Sequence, residues 1–222
     1  MRGYRALRSL AATPLSKRPG ATARYLEPYV EARRRKARGV DALLWEDRRS
    51  QRIRFEAIAR LCPLAGRRVL DVGCGQADLL GFLQARGTVP AHYTGLEAQP
   101  WLARAARRKR YLNCSIVEGD FVAHPARLEV GADVLVFSGS LNFLSSRLFY
   151  RSLDAAWAAC RHSLVFNFLC SPDLAGAKGL RWHRRETVLA FARGLTSSVR
   201  MDDAYEDGDC TVVMRRRTRR AR

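Results

Sequence analysis

Apolar positions in this chain follow two periods that alternate. Short continuous apolar runs, the mark of buried strands, change places with stretches in which apolar residues recur every three or four positions, the mark of helices with one buried face. Residues 51–61, QRIRFEAIARL, put Ile53, Ala57, Ile58 and Leu61 on one helical face, with Ser50 placed to cap its start. RRVLDVG (67–73) reads as a buried strand. ADLLGFLQAR (77–86) lines up Leu79, Leu80 and Leu83 and ends before Gly87, a helix with a glycine stop.

The pattern then repeats. HYTGLEA (92–98) is a strand, and Pro100 opens the helix PWLARAARRKR at a position where proline needs no amide hydrogen. CSIVEGDF (114–121) and ADVLVFSG (132–139) are strands, RLFYRSLDAAWAAC (147–160) a helix and HSLVFNFL (162–169) a strand. RRETVLAFARG (184–194) is a helix stopped by Gly194. SVRMDDAY and CTVVMRR, joined by EDGD, form a β-hairpin around an Asp-Gly turn.

This alternation predicts an α/β fold: a doubly wound, mostly parallel seven-stranded sheet with helices on both faces and a C-terminal antiparallel β-hairpin added at one edge. A chain of 222 residues suits one such domain, spanning 63–217 with N-terminal helices over 26–62. Residues 1–25, with no carboxylate, read as a disordered basic arm rather than a targeting peptide, and 218–222 as a basic tail.

Charge changes the picture at the level of partners. The formal net charge is +19, almost all from arginine, which favours contact with nucleic acid through the Arg-rich segments. No apolar run approaches the length of a membrane span. The six cysteines stand singly, with no zinc-like spacing to a histidine, so reduced thiols in a cytoplasmic protein and no metal site are expected.

The candidate chemistry lies where strands end. Gly73 and Gly75 close the first strand, Glu97 the second and Asp120, after Gly119, the third. Ligands of such sheets bind outside the carboxyl ends of the strands, and an acid some twenty residues beyond the glycine turn can accept hydrogen bonds from ribose hydroxyls. A dinucleotide needs a third glycine where this chain has Asp78, whose carboxylate would meet the pyrophosphate at the helix start. A P-loop is excluded because no G-K-[ST] follows. A cationic, adenosine-containing cofactor without phosphate fits better.

On VLDVGCG, the acid of GLEA, the GD of VEGDF and ADVLVFSGSLNF, the chain resembles the class I S-adenosylmethionine-dependent methyltransferases, from about residue 54 to 216. The resemblance implies S-adenosyl-L-methionine as cofactor, with Asp71, Gly73, Cys74 and Gly75 along its methionine and ribose portion. It implies Glu97 at the ribose hydroxyls, Asp120 and Phe121 flanking the adenine, and Ser138 and Gly139 facing the sulfonium. The family usually has a third glycine where this chain has Ala77, which fits if φ is negative there.

The acceptor is less legible. Ser140, Asn142 and Phe143 follow the fourth strand beside the expected methyl group, and Asn142 could accept a hydrogen bond from a proton-bearing nucleophile. Residues 171–183 leave the fifth strand at the same rim and offer Trp182 and His183, the one histidine suited to catalysis. Trp45, Gln51 and Arg54 could close over the cofactor. The family's nucleic-acid amine enzymes commonly carry N-P-P-Y or D-P-P-Y where this chain has SGSLNF. A small-molecule acceptor is therefore expected, with an RNA acceptor, or an inactive RNA- or partner-binding protein, as alternatives. The acidic residues Asp202, Asp203, Glu206, Asp207 and Asp209 do not match a calcium loop and are expected in a hairpin turn.

Overall fold

Strands Arg68–Val72 (β1), His92–Glu97 (β2), Cys114–Glu118 (β3), Val134–Phe137 (β4), Ser163–Leu169 (β5), Val199–Asp202 (β6) and Asp209–Arg215 (β7) form one sheet, in the order β3-β2-β1-β4-β5-β7-β6. It is seen in a computed structural model that describes residues 23–174 and 179–217. The arm at 1–22 and the tail at 218–222 lie outside the described residues. β1 to β5 are parallel, and β7 runs antiparallel to both β5 and β6. The hairpin closes one side of the sheet as expected, with β7 joining it to β5 and β6 forming the edge. β7 is buried along almost its whole length because its CTVVM run is apolar towards both faces, while β6 is only half buried.

Both faces of the sheet are covered. Val69, Val134, Val136, Val165 and Val213 face one layer, made by Arg48–Leu61 (α3), Asp78–Ala85 (α4) and Pro100–Arg108 (α5). Alternate residues, among them Leu70, Val72, Leu135, Phe137, Phe166 and Met214, face the other layer, Ser146–Ala159 (α6) and Arg185–Leu195 (α7). Two shorter helices, Glu27–Arg34 (α1) and Gly39–Ala42 (α2), precede α3.

Local differences from the sequence reading have local causes. α3 starts at Arg48, capped by Asp47. The Asp47 carboxylate accepts the Ser50 amide at 2.6 Å, and Ser50 Oγ accepts the Asp47 amide in return, so Ser50 is the far partner of a capping box. Gly194 does not end α7, which continues to Leu195. The acidic run lies in and around the hairpin turn, where arginines of α3 and α7 take it up. Asp202 pairs with Arg60, Asp203 with Arg185, Glu206 with Arg49 and Asp209 with Arg54. All six cysteines are free thiols. Among the described residues no group of acids, cysteines or histidines could hold a metal, and no helix is long and apolar enough to cross a membrane.

Candidate cofactor and acceptor site

The chain after β1 turns by passing through the left-handed region three times, at Gly73 (φ 74°), Gly75 (φ 55°) and Ala77 (φ 57°). The first bend lets the amides of Gly73 and Cys74 reach Leu96 O at 2.7 and 3.1 Å, and the second aims the Gly75 amide at Glu97 Oε2, 2.8 Å away. Ala77 was expected at negative φ and is not. The turn has to coil once more before α4 starts, and alanine, with the smallest side chain after glycine, accepts a conformation that costs an L-residue about 1–2 kcal/mol.

The glycines also serve packing within the protein. A Cβ on Gly73 would lie 2.4 Å from Ser140 Cβ, and one on Gly75 2.5 Å from Leu43 Cδ2. On Gly139 (φ 74°) it would lie 2.7 Å from Trp45 Cη2. These bends bring the loop after β4 and the segment before α3 onto the ends of β1 and β4.

The carboxylates meet at the same rim. Glu97 is buried, and its second oxygen accepts the Gln99 amide at 2.7 Å. Asp71 is buried beneath the turn. One of its oxygens accepts the Tyr93 hydroxyl, and Oδ1 has no partner. Burial pushes Asp71 up to about 7, helped by Glu97 and Asp78 nearby, and burial also raises Glu97. Asp120 lies two residues past the end of β3. Its Oδ1 accepts the amides of Val122 and Ala123, and its Oδ2 accepts the Tyr25 hydroxyl at 2.7 Å.

The end of β4 completes the enclosure. The Gly139 amide donates to Asn167 Oδ1 on β5 at 2.7 Å, Ser140 Oγ donates to Val72 O, and Asn142 O accepts the Arg181 amide at 2.7 Å. Ser138 Oγ and Asn142 Oδ1 are buried without a hydrogen-bond partner.

One cavity of about 990 Å³, its open mouth included, is lined by Asp71, Gly73, Cys74, Gly75, Glu97, Asp120, Phe121, Ser138, Gly139 and Asn142. Ser140, Phe143, Trp45 and Gln51 line it too, whereas Arg54 stands behind the Trp45 ring, 5.1 Å from its centroid. His183 does not reach the cavity. Its ring stacks on Phe149 at 3.9 Å, and burial lowers it to about 4, so it is a neutral core residue. Trp182 is outside as well, held by a β-bridge to Leu169.

Residues 69–163 match the model of a methyltransferase domain family. The chain carries the class I methyltransferase fold.

Its relatives agree with that fold. A protein of Mycobacterium tuberculosis named as a methyltransferase, Rv1506c, is 38% identical over 113 residues, which cover 46% of this chain and 62% of that protein. Magnesium protoporphyrin IX methyltransferase from Synechocystis PCC 6803, crystallised with S-adenosylmethionine, aligns with a TM-score of 0.63 at 14% identity, covering 90% of this chain and all of that one. The methyltransferase domain of a bacterial Hen1 aligns at a TM-score of 0.56 and 16% identity, over 75% of this chain and 99% of that domain.

In this methyltransferase fold the roof of the cavity comes from residues the sequence did not single out. Tyr25 and Leu26, Tyr29 of α1, and Leu43 and Leu44 after α2 all line it. Tyr25 falls within the stretch read as a disordered arm, yet it bonds Asp120. A signal was present, since Tyr25, Tyr29 and Ala32 recur at helical spacing, but eight arginines and lysines between residues 17 and 38 obscured it.

Proposed function

We propose that this protein transfers a methyl group from S-adenosyl-L-methionine to a small-molecule acceptor. One observation carries the reading. In a chain of net charge +19, no lysine, arginine or histidine lines the cavity among the described residues, whereas Asp71, Glu97 and Asp120 do. A fourth acid, Asp78, is neutralised by Lys109. Such a lining selects a cationic, phosphate-free ligand and disfavours a nucleotide phosphate.

The unpartnered Asp71 Oδ1 and Ser138 Oγ fit that cofactor, since buried polar atoms without partners in the protein are free to take ligand groups. Glu97 would hold the ribose hydroxyls and Phe121 and Asp120 the adenine. Asp71 with the Gly73–Gly75 turn would hold the methionine portion, and Ser138 and Gly139 would flank the sulfur. When bound, S-adenosylmethionine supplies a methyl group made electrophilic by the sulfonium. The chain's part is to hold the reactants in line and exclude water, an alignment that can contribute about 7–11 kcal/mol. Tyr25, Tyr29 and Trp45 form the cover that excludes water.

An RNA acceptor is the alternative, drawn from the net charge and from Arg104, Arg108 and Arg110, exposed along α5 and just past its end. Its affinity would fall by about 0.7–0.9 log units per log unit of salt for each phosphate contacted. A thermal-shift titration with S-adenosylhomocysteine tests the main reading. At one hundred times its dissociation constant the ligand should stabilise the protein by about 2.7 kcal/mol, a rise of about 5–11 °C. No shift, with calorimetry equally silent, removes the cofactor and the reaction with it.

A further inference from the structure

The cavity's end around the turn after β4 narrows the choice of acceptor. We infer that it binds an amine carried on an apolar, aromatic body, received by Asn142 within a wall made by Tyr29, Trp45 and Phe143. This rests on the methyl-transfer reading for its purpose, though the binding itself can be measured apart from it.

Asn142 is the polar anchor. It is 8% exposed, and its backbone is fixed on both sides, the amide to Gly139 O at 3.3 Å and the carbonyl to the Arg181 amide at 2.7 Å. Its side-chain Oδ1 is buried with no donor. A carbonyl oxygen can only accept, so the missing partner is an N–H or O–H group, and leaving it unmet costs about 1–3 kcal/mol.

The walls agree with a cation or a cation-forming group. Tyr29 and Phe143 meet edge to face with centroids 5.6 Å apart, and both line the cavity with Trp45. The negative faces of aromatic rings attract ammonium groups. The guanidinium of Arg54 sits behind Trp45 and is already paired with Asp209. An anionic acceptor would meet Asp71, Glu97 and Asp120 in one cavity where, among the described residues, no lysine, arginine or histidine offsets them. The adjoining groove carries both signs, Arg24 and Arg181 with Glu27 and Glu31, and so does not select by charge.

The cavity's carboxylates are assigned to the cofactor in the reading above, and no other base lines it among the described residues, which favours amines over alcohols. Burial pushes the hydroxyls of Tyr25 and Tyr29 well above the usual phenol range, and His183 lies outside the cavity. An alcohol must lose its proton to react, which calls for a base. An amine needs none from the protein once its ammonium proton has passed to water before the methyl group is transferred. Its lone pair forms the new N–C bond as the C–S bond breaks, and the positive charge passes from sulfur to nitrogen. The extra proton leaves the ammonium product to water outside the cavity.

The test is calorimetry with 2-phenylethylamine and 3-phenylpropanoate, matched aromatic probes of opposite charge, run with and without saturating S-adenosylhomocysteine. The amine should bind at least tenfold more tightly than the carboxylate. Asn142→Ala should weaken the amine tenfold or more, and Asn142→Asp, which still accepts, should restore it. Equal or tighter binding of the carboxylate, no amine binding in either arm, or an Asn142→Ala variant that binds the amine as before overturns the inference. Failure of S-adenosylhomocysteine to bind removes the proposed cofactor instead, and the cofactor-free arm still decides the amine.

Discussion

Replacing Asp209 by alanine should destabilise the protein far more than its place in a hairpin suggests. Asp209 is 1% exposed and accepts Arg54 Nε at 2.7 Å and Nη2 at 2.6 Å, as well as the Tyr205 hydroxyl. Without it, Arg54, 7% exposed, keeps only Ser50 O at 2.7 Å and the Trp45 ring. Two charge-assisted bonds at about 1.5–3 kcal/mol each disappear and a buried charge is left unpaired, so a loss of about 3–5 kcal/mol is expected. For a domain of this size that lowers the melting temperature by about 6–20 °C. Urea unfolding and thermal melts of the single and double variants measure it. The double change Arg54→Met with Asp209→Leu should lose less than either single one, because no charge is stranded. A loss below about 1 kcal/mol for Asp209→Ala would refute the reasoning, since the pair would then be hydrated in solution.

Other outcomes follow from the cavity. Glu97→Gln confronts the amide of Gly75 or Gln99 with a second donor and removes the charge proposed to hold the ribose. Calorimetry should find S-adenosylhomocysteine bound about 10²–10⁴-fold more weakly, and a change under threefold would remove Glu97 from the site. Asp71, held near 7 by burial, keeps its proton longer in the folded state than in the unfolded one. The ligand-free protein should therefore lose stability as pH rises from about 4 through 7, while affinity for the cationic cofactor climbs over the same interval. Melts and titrations of Asp71→Asn should show both slopes flattened, and unchanged slopes would assign them to another group. Gly139→Ala forces a side chain into the left-handed region and against the Trp45 ring. It should cost about 1–3 kcal/mol in melts and shift the tryptophan emission, and an unaltered spectrum would show that Trp45 does not rest there.

Most of the fold could be read from the sequence because its strands obey simple burial. VLVF of β4 and LVF of β5 are buried at every position, and Pro100 opens α5 where expected. The inner place of β7 was harder to see. A hairpin pattern tells which strands pair with each other, but not which of them meets the rest of the sheet, and only the evenly apolar CTVVM gave a hint. Within the site, strand ends could be located because acids and glycines there interrupt apolar runs. The roof could not, since Tyr25, Tyr29 and Leu43 sit among arginines that dominate any average over the segment. His183 misled for a related reason: a polar residue after a strand looks exposed until stacking on Phe149 reveals it as core.

The inward position of β7 bears on how the chain reaches its native state. Leu169 on β5 pairs with Asp209, about forty residues further on. Until β7 arrives, β5 offers a long apolar border whose amides and carbonyls lack partners, a template for any other extended chain. The remedy comes in one event, because β7 also carries the carboxylate that Arg54 awaits. A molecule caught before that step would be both sticky and short of its interior ion pair.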